Sequence, residues 1–160
     1  MVDIIDRRVG AEIEGEFVIF LIGMRINRPW KIGSWLPVAR AMPRMLTELA
    51  SQPDLGLLHV RTHFGFPNIM AIQYWRSFDH LEAYARNQNA AHLPAWRAFN
   101  KQVGSNGDVG IWHETYLVAP GRYEAIYHNM PRHGLGQVGT IVDAVGYRQE
   151  ARQRMKAGAA

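Results

Sequence analysis

Between Leu57 and Gln88 the chain reads LLHVRTHFGFPNIMAIQYWRSFDHLEAYARNQ, and the order of elements in this stretch decides the fold. LLHVRTHFG and IMAIQYWRS alternate like two short strands, and the FPN between them makes a tight hairpin loop. Ser77 then stands where an N-cap is needed, and Phe78, Leu81, Tyr84 and Ala85 recur on one helical face of SFDHLEAYARNQ. Strand, strand and helix therefore follow one another with no room for a crossover between the strands.

Working outward, FVIFLIGMRIN (Phe17–Asn27) is apolar on both alternating faces until Arg25 and Asn27, the pattern of a central strand covered on both sides. Beyond RPWKIG, Ser34 is the expected N-cap of SWLPVARAMPRMLTELASQ, with Trp35, Ala39, Met42, Leu46 and Leu49 at helical spacing. Pro37 falls in the first turn, where its missing N–H is harmless. Pro43 falls mid-helix and is expected to split the segment into two pieces. Downstream, HLPAWRAFNKQV is a second helical stretch with His92, Trp96, Phe99 and Val103 on one stripe, GSNGD is a loop, and VGIWHETYLV (Val109–Val118) is a strand. After the Pro120, Gly121 turn, YEAIYHN reads as an added strand, followed by Gly-rich MPRHGLGQVG and a basic helical tail, RQEARQRMK, read as a solvated terminal helix, the alternative being a weak anionic contact.

The order is that of an α+β, ferredoxin-like βαββαβ fold, an antiparallel sheet with both helices on one face, extended by a C-terminal strand and tail. The expected boundaries are an N-terminal arm over 1–15, the ferredoxin-like domain over 16–130 and an extension over 131–160. A sheet of about four strands with apolar residues on both sides must bury its second face, and a second copy of the chain is the simplest cover. A homodimer is therefore expected.

Composition bounds the chemistry. The 160 residues suit one compact domain, and 48% hydrophobic with 20% charged residues allow a real core. There is no cysteine, so disulfides, thiolate metal sites and a cysteine nucleophile are excluded. The formal charge of +4 comes from 15 Arg and three Lys against 14 acidic residues, but Arg25, Arg40, Arg61, Arg76, Arg97 and Arg122 are scattered singly, which does not suit a nucleic-acid partner. The most apolar run, Phe17–Met24, is too short to span a bilayer, and the first fifteen residues lack a secretory pattern, so a soluble cytoplasmic protein is expected. No HExxH, no phosphate-binding glycine loop and no nucleophile-elbow motif is present, and no metal site is expected.

The segments YWRSFDHLEAYARNQ, AAHLPAWRAFN, GIWHETY and YEAIYHNMPRHGLG resemble the dimeric α+β-barrel superfamily of antibiotic-biosynthesis-type monooxygenases. Within it they are most similar to the small family related to the polyketide monooxygenase of fumagillin biosynthesis, over about Gly15 to Gly136. The resemblance implies paired ferredoxin-like subunits with a pocket between sheet and helices. It implies a tailoring enzyme in which a hydrophobic aromatic or polyketide-like substrate is deprotonated and meets O₂ without a cofactor. Other branches bind haem in a comparable place, as aldoxime dehydratases do, so haem is the alternative cofactor, and a non-catalytic ligand-binding dimer is a third reading.

His113 leads the candidate catalytic residues. It shares a face with Val109, Ile111, Thr115 and Leu117, where a neutral imidazole would serve as base or iron ligand; the structural alternative is a core histidine bonded to a carbonyl. Glu114 points the other way with Trp112 and Tyr116, and wants a partner from Arg61, Arg76 or Arg97. His92 and Trp96, one turn apart, are read as a pocket wall or as packing against the sheet, with Phe99 on the same stripe. His59, Arg61 and His63 alternate onto one face, either a solvated basic face or a grip for an anionic group. Trp75, Trp112 and Tyr116 complete the expected substrate-binding set.

Overall fold

The computed structural model describes residues 2–87, 97, 99–101, 104 and 106–157. Its elements run β1 (Val9–Glu12), β2 (Phe17–Ile26), α1 (Ile32–Ser51), β3 (Leu57–Phe64), β4 (Asn68–Trp75), α2 (Phe78–Arg86), β5 (Val109–Val118), β6 (Thr140–Asp143) and a C-terminal helix, Ala151–Ala157. The chain divides into two compact units, residues 19–116 and residues 1–18 with 117–160. No helix among the described residues is long and apolar enough to cross a membrane.

The four-stranded sheet has the order β3-β4-β2-β5, that of a ferredoxin-like fold. The hairpin forms where the sequence places it: β3 and β4 pair antiparallel from Leu57↔Trp75 to Phe64↔Ile69, with an irregularity between Leu57 and His59. As expected of a central strand, β2 lies between β4 and β5. Both helices pack on one face. The buried residues Ala71, Gln73 and Trp75 of β4 point to it, Trp75 lies against Tyr84 of α2 with ring centroids 5.9 Å apart, and the Tyr84 hydroxyl donates to Glu48 of α1 at 2.8 Å. Burial, then the hydrogen bond and charge of Glu48, push the Tyr84 phenol well above its ordinary value.

Two details of α1 differ from the expected ones. The helix starts after Lys31, and Ser34 does not cap it; the Ser34 hydroxyl donates instead to Asp108 Oδ2 at 2.9 Å. Asp108, buried just before β5, also accepts from Arg28 Nη1 at 2.8 Å, and a charged acceptor outcompetes a neutral cap. The carboxylate also sets negative charge beside the first turn of α1, which the helix dipole favours. Nor does Pro43 split the segment: α1 is one helix through Ser51. Met45 and Leu49 are buried on its inner face beyond the proline, and the Thr47 hydroxyl donates to the Pro43 carbonyl at 2.9 Å, so packing overrides the missing N–H. In α2, by contrast, Ser77 caps as expected, accepting from the His80 amide at 3.3 Å.

In the other unit, residues assigned to an N-terminal arm form β1, which pairs antiparallel with β6 from Val9↔Asp143 to Glu12↔Thr140. The added strand is thus Thr140–Asp143. YEAIYHN forms only an isolated bridge, Val9 to Tyr127, because Val9 and Ala11, both buried, already pair with β6. The basic tail is not simply solvated. Arg148 pairs with Glu12 at 2.8 Å, and the buried Arg154 pairs with Glu124 at 2.8 Å while donating to the carbonyls of Arg148 and Gln149. Guanidinium groups donating to the last carbonyls of a helical turn are well matched to it.

Candidate active site

The strand alternation that fixes the sheet also shapes a cavity of ≈720 Å³ between the sheet and the two helices. Strand β2 contributes Phe20, Ile22 and Met24; β5 contributes Ile111, His113 and Thr115. From above, α1 lends Val38, Ala41, Met42 and Met45, and α2 lends Phe78, Leu81 and Ala85. The wall is chiefly aliphatic, aromatic and thioether, the surface that suits a large apolar ligand. Beneath it, Met24, Ile26 and Val109 form a buried cluster with Val38, Ala39 and Phe99 against it. This explains why β2 is only half-buried through Ile19–Ile22: one face looks into the cavity and the other lies open.

Among the described residues, few polar side chains reach the cavity: His113, Thr115, Thr62, Arg44, Glu82 and Arg86. Glu82 and Arg86 hold one another at 2.9 Å across one turn of α2, so both charges are engaged. His113 lies beside Phe20, ring centroids 5.6 Å apart and tilted 40°. It is exposed, contrary to the expected enclosure among aliphatic side chains, because β5 is an edge strand and leaves one flank of the imidazole open.

The other residues singled out from sequence distribute unevenly. Phe99 lines the cavity with His113. His92 and Trp96 lie outside the described residues. Trp75 is a core residue, 1% exposed, whose indole N–H donates to Gln73 Oε1 at 2.8 Å. Glu114, Trp112 and Tyr116 face away from the cavity, on the open side of the sheet. Glu114 takes the Tyr116 hydroxyl as its partner rather than an arginine, because i and i+2 on a strand share a face. That hydrogen bond, then the carboxylate charge, raises the Tyr116 phenol above its ordinary value. Trp112 lies over Gly23, where a Cβ would come within 2.6 Å of the indole. His59 is on the open side too, its ring 6.3 Å from that of Tyr74, and Arg61 and His63 share its alternation. Strands β3 and β5 are the two edges of the sheet, so His59 and His63 do not meet His113.

Thr62, Thr115, Arg44 and Glu82 were not singled out from sequence. Thr115 had a visible signal, two residues past His113 on one strand face. Arg44 and Glu82 had none, since which flank of a helix borders a cavity depends on how the helices cross the sheet.

Fold and cavity together define a ferredoxin-like α+β protein with a ligand-sized apolar site between sheet and helices. Within that class the chain belongs to the monooxygenase af470-like family, whose model matches residues 17–135. The monooxygenase af470 of Aspergillus fumigatus is 29% identical, over 81% of this chain and 53% of its own length, so the chain spans about half of that relative. Among solved structures, an aldoxime dehydratase in complex with butyraldoxime is 15% identical with a TM-score of 0.66, over 87% of this chain and 44% of the other. SnoaB, a cofactor-independent oxygenase from Streptomyces nogalater, is 13% identical with a TM-score of 0.46, over 63% of this chain and 91% of the other.

Proposed function

We propose that the protein is a monooxygenase-like tailoring enzyme that binds a hydrophobic, aromatic or polyketide-like substrate in the ≈720 Å³ cavity and oxygenates it with His113 as general base. One observation carries the assignment of the base. Of the described side chains in the wall, only His113 and Glu82 can accept a proton, and Glu82 is held by Arg86. Family membership supports the reaction class. His113 removes a proton from an acidified C–H of the substrate, the carbanion gives one electron to O₂, and the radicals combine to a peroxide that loses water. A methylene and O₂ thus become a carbonyl and H₂O, with O₂ as the sole oxidant. Phe20 and Phe99 offer rings for a flat substrate.

A haem-binding reading is the second, favoured by an imidazole and a guanidinium, His113 and Arg44, on the wall of one apolar cavity. His113 would hold a haem iron and Arg44 a propionate, and a bound haem would supply redox or Lewis-acid chemistry.

The open side of the sheet carries Ile19, Leu21, Ile72, Tyr74, Trp112 and Tyr116, an apolar and aromatic face of the kind a second copy covers in a homodimer. Oxygen-electrode assays of His113→Ala on an anthrone-type substrate bearing a carboxyl group test the proposal. Loss of uptake with an unchanged circular-dichroism spectrum is expected, and full retained uptake removes His113 from the mechanism.

A further inference from the structure

We infer that the cavity is specific for an apolar molecule bearing a carboxylate, and that Arg44 is the residue that reads it. The inference rests on the cavity being the substrate site and names what that substrate carries. Among the described residues three in the cavity wall bear a full charge, Arg44, Glu82 and Arg86, and the last two pair with one another at 2.9 Å. Arg44 makes no hydrogen bond or ion pair with any described residue. Glu48, one turn on, accepts from the Tyr84 hydroxyl at 2.8 Å and forms no ion pair with Arg44, an arginine preceding a glutamate at this spacing being the weaker orientation. Among the described residues, the wall is therefore chiefly apolar with one cation that makes no ion pair.

An uncharged hydrocarbon ligand gains nothing from that cation, and a cationic one is repelled by it. A carboxylate on an apolar body satisfies both parts of the wall at once, the guanidinium fork taking its two oxygens. His113 and Thr115 come from β5 and Arg44 from α1, so the carboxylate is held by a different wall from the one that carries the base. Substrates of this site are acids: the reacting carbon meets His113 while the anionic end is held on the helix.

Dodecanoate and dodecanol, equal in chain length, are titrated by calorimetry into the full chain and into Arg44→Gln, Arg44→Lys and Arg40→Gln. Arg40 is exposed on the same helix and does not border the cavity, so its variant controls for net charge. The expected result is tighter binding of dodecanoate than of dodecanol, about a two- to five-fold loss for dodecanoate alone in Arg44→Gln, partial recovery in Arg44→Lys and no change in Arg40→Gln; about that much follows from a charge pair at the exposed Arg44. Haemin is titrated in parallel. A Soret shift that needs both Arg44 and His113, with dodecanoate indifferent to His113→Ala, assigns the carboxylate to a porphyrin propionate; dodecanoate selectivity without a Soret shift assigns it to a free acid. Equal losses for dodecanoate and dodecanol in Arg44→Gln, or the same loss in Arg40→Gln, overturn the inference. If neither ligand binds the full chain, the cavity is not a ligand site and the function proposed above falls with it, whereas binding without oxygen uptake overturns only the oxygenase reading.

Discussion

Replacing Trp75 by Phe probes the joint that holds both helices over the cavity. Trp75 is 1% exposed, its indole N–H donates to Gln73 Oε1 at 2.8 Å, and Gln73 is itself 4% exposed. Phenylalanine keeps most of the apolar contact with Tyr84 but removes the donor, leaving a buried amide oxygen without this bond; Met42 Sδ, 4.0 Å from Gln73 Nε2, touches the other end of that amide and replaces nothing. Orphaning a buried acceptor costs about 1–3 kcal/mol. For a chain of this size each kcal/mol moves Tm by about 2–4 °C, so the variant is expected to melt roughly 2–12 °C lower. Gln73→Met alone strands the indole N–H and costs a similar amount, whereas the double variant strands neither group. A thermal-denaturation cycle over the four proteins should therefore give a double variant more stable than the sum of the singles by at least about 1 kcal/mol. Strict additivity would refute the reasoning, since it would mean that the two side chains do not depend on one another.

Three further outcomes follow from the geometry. The Ser34 hydroxyl, and then Arg28, hold the Asp108 carboxyl below its ordinary value of 3.8 against the opposing effect of burial; its contribution to stability is therefore present above about pH 4 and lost as pH falls through the lowered value, and Asp108→Asn should flatten that part of a Tm-against-pH curve, an unchanged curve counting against the pair. Gly23→Ala places a methyl within 2.6 Å of the Trp112 ring, so it should lower Tm and red-shift tryptophan emission as the indole is displaced; unaltered emission would contradict the stacking. Ile72→Asp puts a charge in the middle of the open sheet face and should turn a dimer into a monomer by light scattering, while a wild-type chain that is already monomeric would remove the homodimer from the account.

The parts of the fold that were legible in sequence are those fixed by neighbours in the chain. The β3–β4 hairpin and α2 follow from alternation, Pro67 and the Ser77 cap, all within one stretch. The placement of His113 with Ile111 and Thr115, opposite Glu114 and Tyr116, follows from strand period alone. What sequence misplaced was decided from far away. Ser34 is drawn from its cap by Asp108, 74 residues on. Strand β6 exists because Val9–Glu12 at the other end of the chain pairs with it, and four residues of alternation carry too little signal to compete with YEAIYHN. The expected ion pair of Glu114 failed because a tyrosine two residues along the strand was nearer than any arginine. Arg44 belongs to the cavity through the way α1 crosses the sheet, which periodicity does not encode.

We propose that an apolar cavity with a histidine base oxygenates its substrate without a cofactor. It is tested by oxygen uptake by the purified chain on an anthrone-type substrate bearing a carboxyl group, with the absorbance spectrum above 300 nm recorded on the same sample after expression with added haem precursor. One O₂ consumed per carbonyl formed, a featureless spectrum, and loss of uptake in His113→Ala are expected. A stoichiometric Soret band on which uptake depends, or uptake that survives His113→Ala, would contradict it.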